Sequence, residues 1–450
     1  MESSDVRPTV TATALDNEAR GIAVLPSGKK VFVPELLPGE TAVIEIIKED
    51  KKYSVGILKE LLVRSPDRVL DPGKIRPGCN LSHLSYPSQL KYKEDKVFSC
   101  LERIGRVPPG ILSKVRQPII KAEITSSYRN HMQYKIVNGK CCLMLPGTND
   151  PVYEDKYLPE YEIFSVIRRA LENVFRDAPT NLFSELILRG SQRTRELLIE
   201  LVSCCCAPHE CTIRDTKDYL RSTGLAEALT AEAGSYKING ITLRISESRT
   251  KKRTRTGKRV TLEGKDSYRE KLCGRTFEVK AGAFFQVNTD QAEKLYNAAS
   301  VFLKDTGTIY DIYCGTGSIG LSVISEGQEL IGLESVREAV ESAKINASLS
   351  GITNAVFICK DAESSDLFSG PYSKPDAVIV DPPRKGMHVS FTDKLIKAAP
   401  PRIIYISCDP ATLGRDILAL RTGGYEIVSV TPADLFPMCS HCETLVYLKR

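Results

Sequence analysis

Long apolar runs are absent from this chain, and none approaches the roughly 20 residues that a helix needs to cross a bilayer. The first ten residues, Met1 to Val10, are polar and partly acidic, and they lack the apolar core of a secretory signal peptide. Both absences argue against membrane insertion and export. We therefore expect a cytoplasmic protein.

Cysteine patterns typical of a disulfide scaffold or a metal site are also missing. The 14 cysteines are scattered over 450 residues, and three of them end the apolar run ELLIELVSCCC at residues 196–206. That run predicts a buried strand in which cysteine serves as a small hydrophobic residue in a reducing compartment. Cys439 and Cys442 form one CxxC pair, which without a second pair gives only weak support for metal binding.

Positive charge is modest overall, with a formal net charge of +6, but it is concentrated in one segment. Residues Arg249 to Arg259 read RTKKRTRTGKR, with seven basic residues and no acid. Two compatible interpretations stay open. The segment is a solvated surface loop when no ligand is bound, or it is a loop that contacts the phosphates of RNA.

The length of 450 residues predicts two or three domains. Between residues 8 and 65, five short alternating segments separated by turn residues predict a small β-barrel. We assign residues 1–67 to this barrel, which resembles the TRAM domain, an OB-like RNA-binding barrel. Residues 68–280 alternate strand-like and helix-like segments, so they predict an α+β middle domain, for which we expect a role in RNA binding.

From residue 281 to 450, the pattern is that of an α/β fold. Strand-like segments alternate with helix-like ones: GTIYDIYCGTG, ELIGLES, AVFICKDA, DAVIVDPP and RIIYISCDP. This alternation predicts a doubly wound, Rossmann-like parallel sheet with ligand sites at the carboxyl ends of its strands. The last two segments, YEIVSV and ETLVYLKR, would complete the sheet as a hairpin.

A cofactor site is predicted where the first strand runs into the turn Cys314 to Gly317 and where Glu334 ends the second strand. Glycines let a nucleotide-like ligand approach the backbone, and the acid can accept hydrogen bonds from ribose hydroxyls. Because the turn lacks the glycine spacing of dinucleotide sites, it favours S-adenosyl-L-methionine over NAD. Asp361 ends the third strand, where it could face the adenine amine or serve only the turn.

Cys408 follows the fifth strand, directly before a helix whose N-terminal amides can stabilise a thiolate. The fourth strand ends in DPPRKG, Asp381 to Gly386, a turn similar to the one with which amino-group methyltransferases hold a planar base. Those enzymes commonly follow the prolines with an aromatic residue, where this chain has Arg384. A cysteine beside such a turn favours methylation at carbon, because a thiolate that adds to C6 of uracil makes C5 nucleophilic.

Five segments in this order resemble the RNA uridine-C5 methyltransferase family: AFFQVNTDQAEKLY, DIYCGTGSIGL, DAVIVDPPRKG, YISCDPATLGRD and HCETLVYL. The resemblance implies that Cys408 is the nucleophile and Glu443 the base that removes the C5 proton. It also implies that S-adenosyl-L-methionine is the cofactor. The residues expected to hold it are Gly315 of the glycine turn and Gln286, Tyr313, Ser318, Glu334, Asp361 and Asp381. Of the adjacent Phe284 and Phe285, we expect one to lie in the core and the other to stack on the target base.

Two departures from the family pattern matter. Many TRAM-bearing relatives bind an iron–sulfur cluster through four cysteines. In this chain only Cys79 is present: Leu70 and Arg76 stand at two of the other positions, and no cysteine lies near Glu160, where the fourth would be. Because such a cluster usually requires four thiolates, we predict no cluster and no other metal. Asp409 stands where relatives often have Asn, and its charge should raise the pKa of the adjacent thiol.

The RNA substrate is less closely defined. TRAM-bearing relatives resemble ribosomal RNA enzymes, whereas the tRNA enzymes of the family often lack the domain, so we expect a uridine of 23S rRNA, with tRNA as the alternative. A catalytically silent RNA-binding or RNA-folding factor is a further alternative. Methylation of DNA cytosine is disfavoured, because those enzymes usually place the nucleophile in a Pro-Cys loop after the fourth strand. We expect a monomer.

Overall fold

The computed structural model describes residues 7–145, 148–179, 182–204, 209–246, 257–369 and 374–450. Most of the basic segment, residues 249–256, lies outside these ranges, as do Cys205 and Cys206, so the expectations placed on them remain predictions. Within the described ranges, no helix combines the length and apolar character of a membrane span. Ten cysteines in them are free thiols, and the His, Cys, Asp and Glu side chains described form no group of three that could hold a metal ion.

The N-terminal domain consists of six strands: β1 (Thr9–Thr11), β2 (Ala14–Leu15), β3 (Gly21–Val24), β4 (Lys30–Val33), β5 (Thr41–Glu49) and β6 (Tyr53–Val63). They form one sheet in the order β1-β5-β6-β4-β3-β2. Its two edge strands are consecutive in the chain and nearly touch end to end, so the sheet curls into the predicted barrel. The first predicted strand is divided in two, because the Ala12 amide donates a hydrogen bond to the Glu40 carbonyl, whereas the Thr13 amide donates one to the Ile22 carbonyl.

Two helices follow the barrel, α1 (Tyr86–Arg103) and α2 (Pro109–Val115). In the described part of the middle domain, seven strands follow, β7 (His131–Val137), β8 (Lys140–Met144), β9 (Pro151–Val152), β10 (Glu185–Ser191), β11 (Glu196–Cys204), β12 (Lys237–Ser246) and β13 (Gly257–Gly264), with three helices, α3 (Glu162–Arg176), α4 (His209–Ser222) and α5 (Leu225–Ala233). The sheet order is β13-β12-β11-β10-β7-β8-β9. Leu186 and Leu188 of β10 pack in the core with the helices. Arg189 therefore points to the opposite face of the sheet.

A hairpin of β14 (Ser267–Leu272) and β15 (Arg275–Lys280) leads into the C-terminal domain. Its strands are β16 (Thr308–Ile312), β17 (Glu329–Glu334), β18 (Ala355–Cys359), β19 (Ala377–Val380), β20 (Arg402–Ser407), β21 (Glu426–Ala433) and β22 (Glu443–Lys449), and its helices are α6 (Thr289–Ser300), α7 (Ser318–Val323), α8 (Arg337–Leu349), α9 (Val389–Ala398) and α10 (Pro410–Thr422), with a 3₁₀ turn at Val301–Leu303. The order is β18-β17-β16-β19-β20-β22-β21; the first five strands are parallel, β22 runs antiparallel to them, and β21, antiparallel to β22, runs in their direction again. The strand order reverses between β16 and β19, where open α/β sheets bind their ligands. The predicted α/β fold with a terminal hairpin is confirmed.

Core packing does not follow the predicted domain boundaries along the chain. Val97 and Leu101 of α1 and Leu112 of α2 share one core with Ile403 of β20. The hairpin residues 268–279 join the other core of the C-terminal sheet. Both segments lie within residues 68–280, so by packing the C-terminal domain extends into the range assigned to the middle domain.

Candidate active site

The predicted nucleophile and base lie on adjacent strands. β20 pairs with β22 in antiparallel register with Ser407 opposite Thr444, so the next residues, Cys408 and Glu443, are neighbours at the end of the sheet. Asp381 directly follows β19, which pairs with β20 on its other side. The charges of Glu443 and Asp381 both act on the Cys408 thiol. The three side chains therefore share one corner at the carboxyl ends of the parallel strands, which we call the catalytic corner.

Burial sets the acid–base properties of the catalytic corner. It raises the pKa of Asp381 to about 7 and, together with the charge of Asp381, raises that of Glu443 to about 8. Asp311 at the end of β16 is fully buried, and burial followed by the charges of Asp381 and Glu334 raises its pKa to about 7. Arg384 acts in the opposite direction on Glu443. Three carboxyl groups with raised pKa values, two of them buried and that of Asp381 half-buried, favour a cationic ligand, which would stabilise their ionised forms.

The Cys408 thiol is half-buried, and burial raises its pKa to about 12, with further contributions from Glu443, Asp381 and Asp409 and an opposing one from Arg384. The expected effect of Asp409 on the thiol is therefore confirmed in direction.

The helix that follows Cys408 is capped by its neighbour. The Asp409 carboxylate accepts hydrogen bonds from the Ala411 and Thr412 amides, each at 2.9 Å. We expected the amides at this helix end to stabilise a thiolate. This expectation is wrong for the free protein, because Asp409 occupies two of those amides and adds a negative charge beside the thiol.

The glycine turn has the backbone conformation that close approach of a ligand requires. Tyr313, Gly315 and Gly317 have φ angles of 64°, 54° and 79°. This left-handed region is uncommon for a residue with a side chain, such as Tyr313. The Glu334 carboxylate accepts a hydrogen bond from the Gly315 amide at 3.1 Å, and Ser318 begins α7 immediately after the turn. The predicted cofactor residues of the first two strands are thus brought together.

Two polar atoms in this region are buried and lack a hydrogen-bond partner among the described residues: Asp311 Oδ1 and Thr316 Oγ1. Buried polar groups are rarely left unpaired, so these atoms are explained by a ligand that supplies the partners. The Tyr296 hydroxyl lies beside Ser318 and Gln286. S-adenosyl-L-methionine has ribose hydroxyls, an ammonium group and a sulfonium, so the unpaired atoms and the carboxyl groups both fit it.

The two adjacent phenylalanines have different environments. Phe285 is 4% exposed and packs in the core against Phe277, with ring centroids 5.8 Å apart, whereas Phe284 is 72% exposed. The expectation of one core ring is therefore confirmed for Phe285. The stacking role expected of the other ring now falls to Phe284 and remains a prediction.

Asp361 is exposed at the end of β18, and its Oδ1 accepts a hydrogen bond from the Glu363 amide at 2.8 Å. The turn role that the sequence left open is therefore present, and contact with the cofactor remains a prediction.

A cavity of about 350 Å³ opens beside the thiol. Its walls come from the barrel, from the segment after it, from α1 and from the catalytic domain: Asn17, Glu18, Asn80, Lys96, Cys100, Cys408, Asp409, Pro410, Ala411, Ser440 and His441. The Lys96 ammonium donates hydrogen bonds to the Asn17 and Ser440 carbonyls at 2.8 and 3.1 Å, so the two domains meet at this cavity. The nucleophile is accessible from the side of the barrel.

Two residues near the catalytic corner were missed as site residues from sequence. Tyr296 lies within AFFQVNTDQAEKLY, but its position on an amphipathic helix is equally typical of a core residue. Asp311 precedes the glycine turn, and the only signal was an acid inside an otherwise apolar strand. Such a buried acid was a signal that sequence reasoning could have used.

Comparison with known proteins decides the family. Residues 253–450 match the family described as tRNA (Uracil-5-)-methyltransferase, and residues 7–59 match the TRAM domain. An uncharacterized RNA methyltransferase of Clostridium acetobutylicum is 34% identical over 93% of this chain and 92% of its own. The chain belongs to the TRAM-bearing RNA uridine-C5 methyltransferases. Its resemblance to this family, drawn from the five motifs, is confirmed.

Further relatives agree with this assignment. An uncharacterized RNA methyltransferase of Staphylococcus aureus is 30% identical over 99% of this chain and 98% of its own. The crystal structure of the Pyrococcus abyssi tRNA (uracil-54, C5)-methyltransferase with S-adenosyl-L-homocysteine matches with a TM-score of 0.75 and 24% identity, over 97% of this chain and 99% of that one. This RNA methyltransferase therefore shares its fold with a solved enzyme over nearly its whole length.

Proposed function

We propose that this protein methylates C5 of a uridine in structured RNA, with a uridine of 23S ribosomal RNA as the favoured target. The observation that carries the proposal is the adjacency of Cys408 and Glu443 on β20 and β22, beside Asp381. Methylation at C5 requires a thiol, a base and a methyl donor within one small space. A cytoplasmic location, a monomeric state and the absence of an iron–sulfur cluster belong to the same proposal.

In the proposed reaction, the Cys408 thiolate adds to C6 of a uracil that has left its stack, which forms an S–C6 bond and an enolate that reaches C5. S-adenosyl-L-methionine supplies the methyl group to C5. Glu443 then takes the C5 proton, and the electron pair of the broken C–H bond expels the thiolate and restores the double bond between C5 and C6. Glu443 must be ionised for this step.

In the free protein, Cys408 and Glu443 have pKa values of about 12 and 8, so near pH 7 both are protonated. The reaction requires both in their ionised forms. A positive charge placed beside Asp381 lowers both pKa values by favouring the charged forms. Thiolate formation is therefore linked to occupation of the cofactor site. Phe284 supports the target uracil by stacking, and Gln286 helps to hold the cofactor.

Transfer RNA is the second candidate substrate. The similar Pyrococcus abyssi enzyme acts on tRNA, according to its name, and aligns over nearly the whole chain. A layout that includes residues of the barrel is therefore not specific to ribosomal RNA enzymes. The presence of Cys408, Glu443, Gln286 and Glu334 together argues against a silent RNA-binding factor.

The proposal is tested with purified protein, methyl-labelled S-adenosyl-L-methionine and unmodified transcripts of 23S rRNA domains and tRNAs. We expect label in 5-methyluridine of an rRNA transcript, lost with Cys408→Ala. Label in tRNA alone moves the substrate to the second candidate. Label in a base other than uridine, or none with any transcript despite cofactor binding, contradicts the proposal.

A further inference from the structure

Two arginines of the middle domain hold the turn of residues 281–286, which carries Phe284 and Gln286. Arg189 in β10 donates a hydrogen bond from Nη1 to the Ala283 carbonyl at 2.7 Å, and its side chain is buried. Arg259 in β13 presses its guanidinium group against Gly282. The base-facing turn of the catalytic domain is thus supported by the polar face of another domain's sheet.

The contact between Arg259 and Gly282 leaves no space for a side chain. A Cβ on Gly282 would lie 2.5, 2.6 and 2.7 Å from Nη2, Nη1 and Cζ of Arg259, and the φ angle of Gly282 is +83°. The positive φ angle favours glycine here, and a residue with a side chain would also have to displace the Arg259 guanidinium group.

The Arg259 guanidinium group is itself oriented by a buried carboxylate. Glu200 of β11 is 2% exposed and accepts hydrogen bonds from Nε and Nη2 of Arg259 at 3.2 and 3.3 Å, and it pairs with Nε of Arg244 at 2.7 Å. Burial lowers the pKa of Arg189, and the nearby charges of Arg259 and Arg244 lower it further. Planar groups held by a carboxylate in this way lose little freedom when they bind a second partner.

The turn connects this arginine pair to the catalytic corner. The Asn130 side-chain amide donates to the Gln286 carbonyl at 2.8 Å, and the Gln286 side chain lies beside the Tyr296 hydroxyl. Phe284, between the arginine contacts and Gln286, projects into solvent with 72% of its side chain exposed. A shift of the turn would therefore move the stacking ring and the buried amide together.

We propose that Arg189 and Arg259 are positioning residues for methyl transfer, which hold the 281–286 turn so that Phe284 meets the target uracil and Gln286 meets the cofactor. The inference rests on the proposed function and deepens it. Arg259 is also the last residue of the basic segment, Arg249 to Arg259. One side chain therefore links the segment expected to bind phosphates with the turn that faces the base.

The test separates RNA affinity from the rate of transfer. In single-turnover reactions with enzyme in excess, Arg259→Ala lowers the first-order transfer constant by about ten- to hundredfold, the effect of misplacing reacting groups by about 1 Å. The dissociation constants for RNA and S-adenosyl-L-homocysteine differ by less than about threefold from those of the control variant, Lys258→Ala. Arg259→Lys keeps the charge but not the planar group. We therefore expect it to bind RNA as the wild type does but to keep the low transfer constant of Arg259→Ala.

Lys258→Ala is the matched control, since Lys258 is exposed on the same strand and carries the same charge. It weakens RNA binding at most and leaves the transfer constant unchanged. Gly282→Ala should lower the transfer constant as Arg259→Ala does. In the double variant, Gly282→Ala should lower the transfer constant by a smaller factor than it does alone. If Arg259→Ala fails to fold, Gly282→Ala provides the test. Equal behaviour of Arg259→Ala and Lys258→Ala in both measurements overturns the inference, whereas a wild-type protein without transfer activity instead overturns the proposed function.

Discussion

The thiol and the base of the catalytic corner are neutral in the free protein near pH 7, because burial holds the pKa of Cys408 near 12 and that of Glu443 near 8. A free cysteine titrates near 8.5, and its thiolate is the reactive form. The nucleophile is therefore unreactive until ligands change its surroundings. This suits an enzyme whose half-buried thiol, beside an open cavity, would otherwise meet oxidants and electrophiles.

Replacement of Glu443 by Gln should trap the covalent RNA complex. Without the base, the C5 proton of the methylated adduct remains, so the thiolate is not expelled and the bond from Cys408 to C6 persists. We expect turnover to fall by about 10²- to 10⁴-fold, the usual contribution of a general base. Denaturing electrophoresis should show a protein–RNA band that depends on S-adenosyl-L-methionine. The band should be absent from Cys408→Ala/Glu443→Gln, and its presence there would contradict the assignment of the nucleophile.

The raised pKa of Glu443 also predicts how stability depends on pH. Between the ordinary carboxyl pKa of 4.5 and the folded-state pKa of about 8, the unfolded chain releases this proton while the folded protein keeps it. The contribution of Glu443 to stability is thus intact below about pH 4.5 and is lost as the pH rises through 8. The free energy of unfolding of Glu443→Gln, taken relative to that of the wild type, should therefore rise by on the order of 3 kcal/mol between pH 5 and pH 9.

This difference can be followed by denaturant unfolding at each pH. Glu326→Gln, at an exposed turn, gives the effect of removing one surface carboxylate. A Glu443→Gln difference that is the same at pH 5 and pH 9 would show that the carboxyl group is not buried in its neutral form.

At the scale of single elements, α10 depends on Asp409, which caps its N-terminus and faces the thiol. Asp409→Asn should keep the cap and remove the charge, so the pKa of Cys408 falls and alkylation by iodoacetamide begins at lower pH. Asp409→Ala should lower the thiol pKa as well but also cost about 1 kcal/mol of stability. An unchanged alkylation profile in Asp409→Asn would contradict the electrostatic role of Asp409.

Elements with local signals could be predicted from the sequence. The strand and turn at Cys314 to Gly317 were recognisable because glycine spacing and strand periodicity are properties of neighbouring residues. Cys408 and Glu443 were brought together only by resemblance, since 34 residues separate them and their contact depends on the register of β20 with β22.

Features that depend on contacts between distant elements could not be predicted. Which of Phe284 and Phe285 is buried depends on the hairpin that packs over one of them. The support of Gly282 by Arg259 joins two domains through a side chain that sequence reasoning assigned to a phosphate-binding segment. The divided first strand of the barrel likewise reflects partners on two different strands.

At the scale of the whole molecule, α1 joins the parts of the protein around the active site. Lys93 on its buried face forms an ion pair with Asp434 at 2.5 Å, with both side chains fully buried, and it donates to the Phe436 carbonyl at 2.9 Å. The Tyr86 hydroxyl binds the other oxygen of Asp434 at 2.8 Å. These bonds anchor the loop that leads from β21 to Glu443.

Lys93→Met should therefore destabilise the protein by about 3–5 kcal/mol, because it leaves the Asp434 carboxylate buried without its partner. The double variant Lys93→Met/Asp434→Leu should recover part of this loss. Denaturant unfolding measures both, with Lys91→Met on the exposed face of the same helix as the control. A loss no greater than that of the control would show that the pair does not hold α1 to the catalytic domain.

The central claim is that Cys408 carries out C5 methylation of a uridine in RNA. Its most direct test is mass mapping of 5-methyluridine in ribosomal RNA and tRNA from cells that lack the gene, complemented with wild type or with Cys408→Ala. We predict that one or more methyluridines, in 23S rRNA, disappear in the deletion strain and return only with the wild-type gene. Persistence of every methyluridine in the deletion strain, or restoration by Cys408→Ala, would contradict the account.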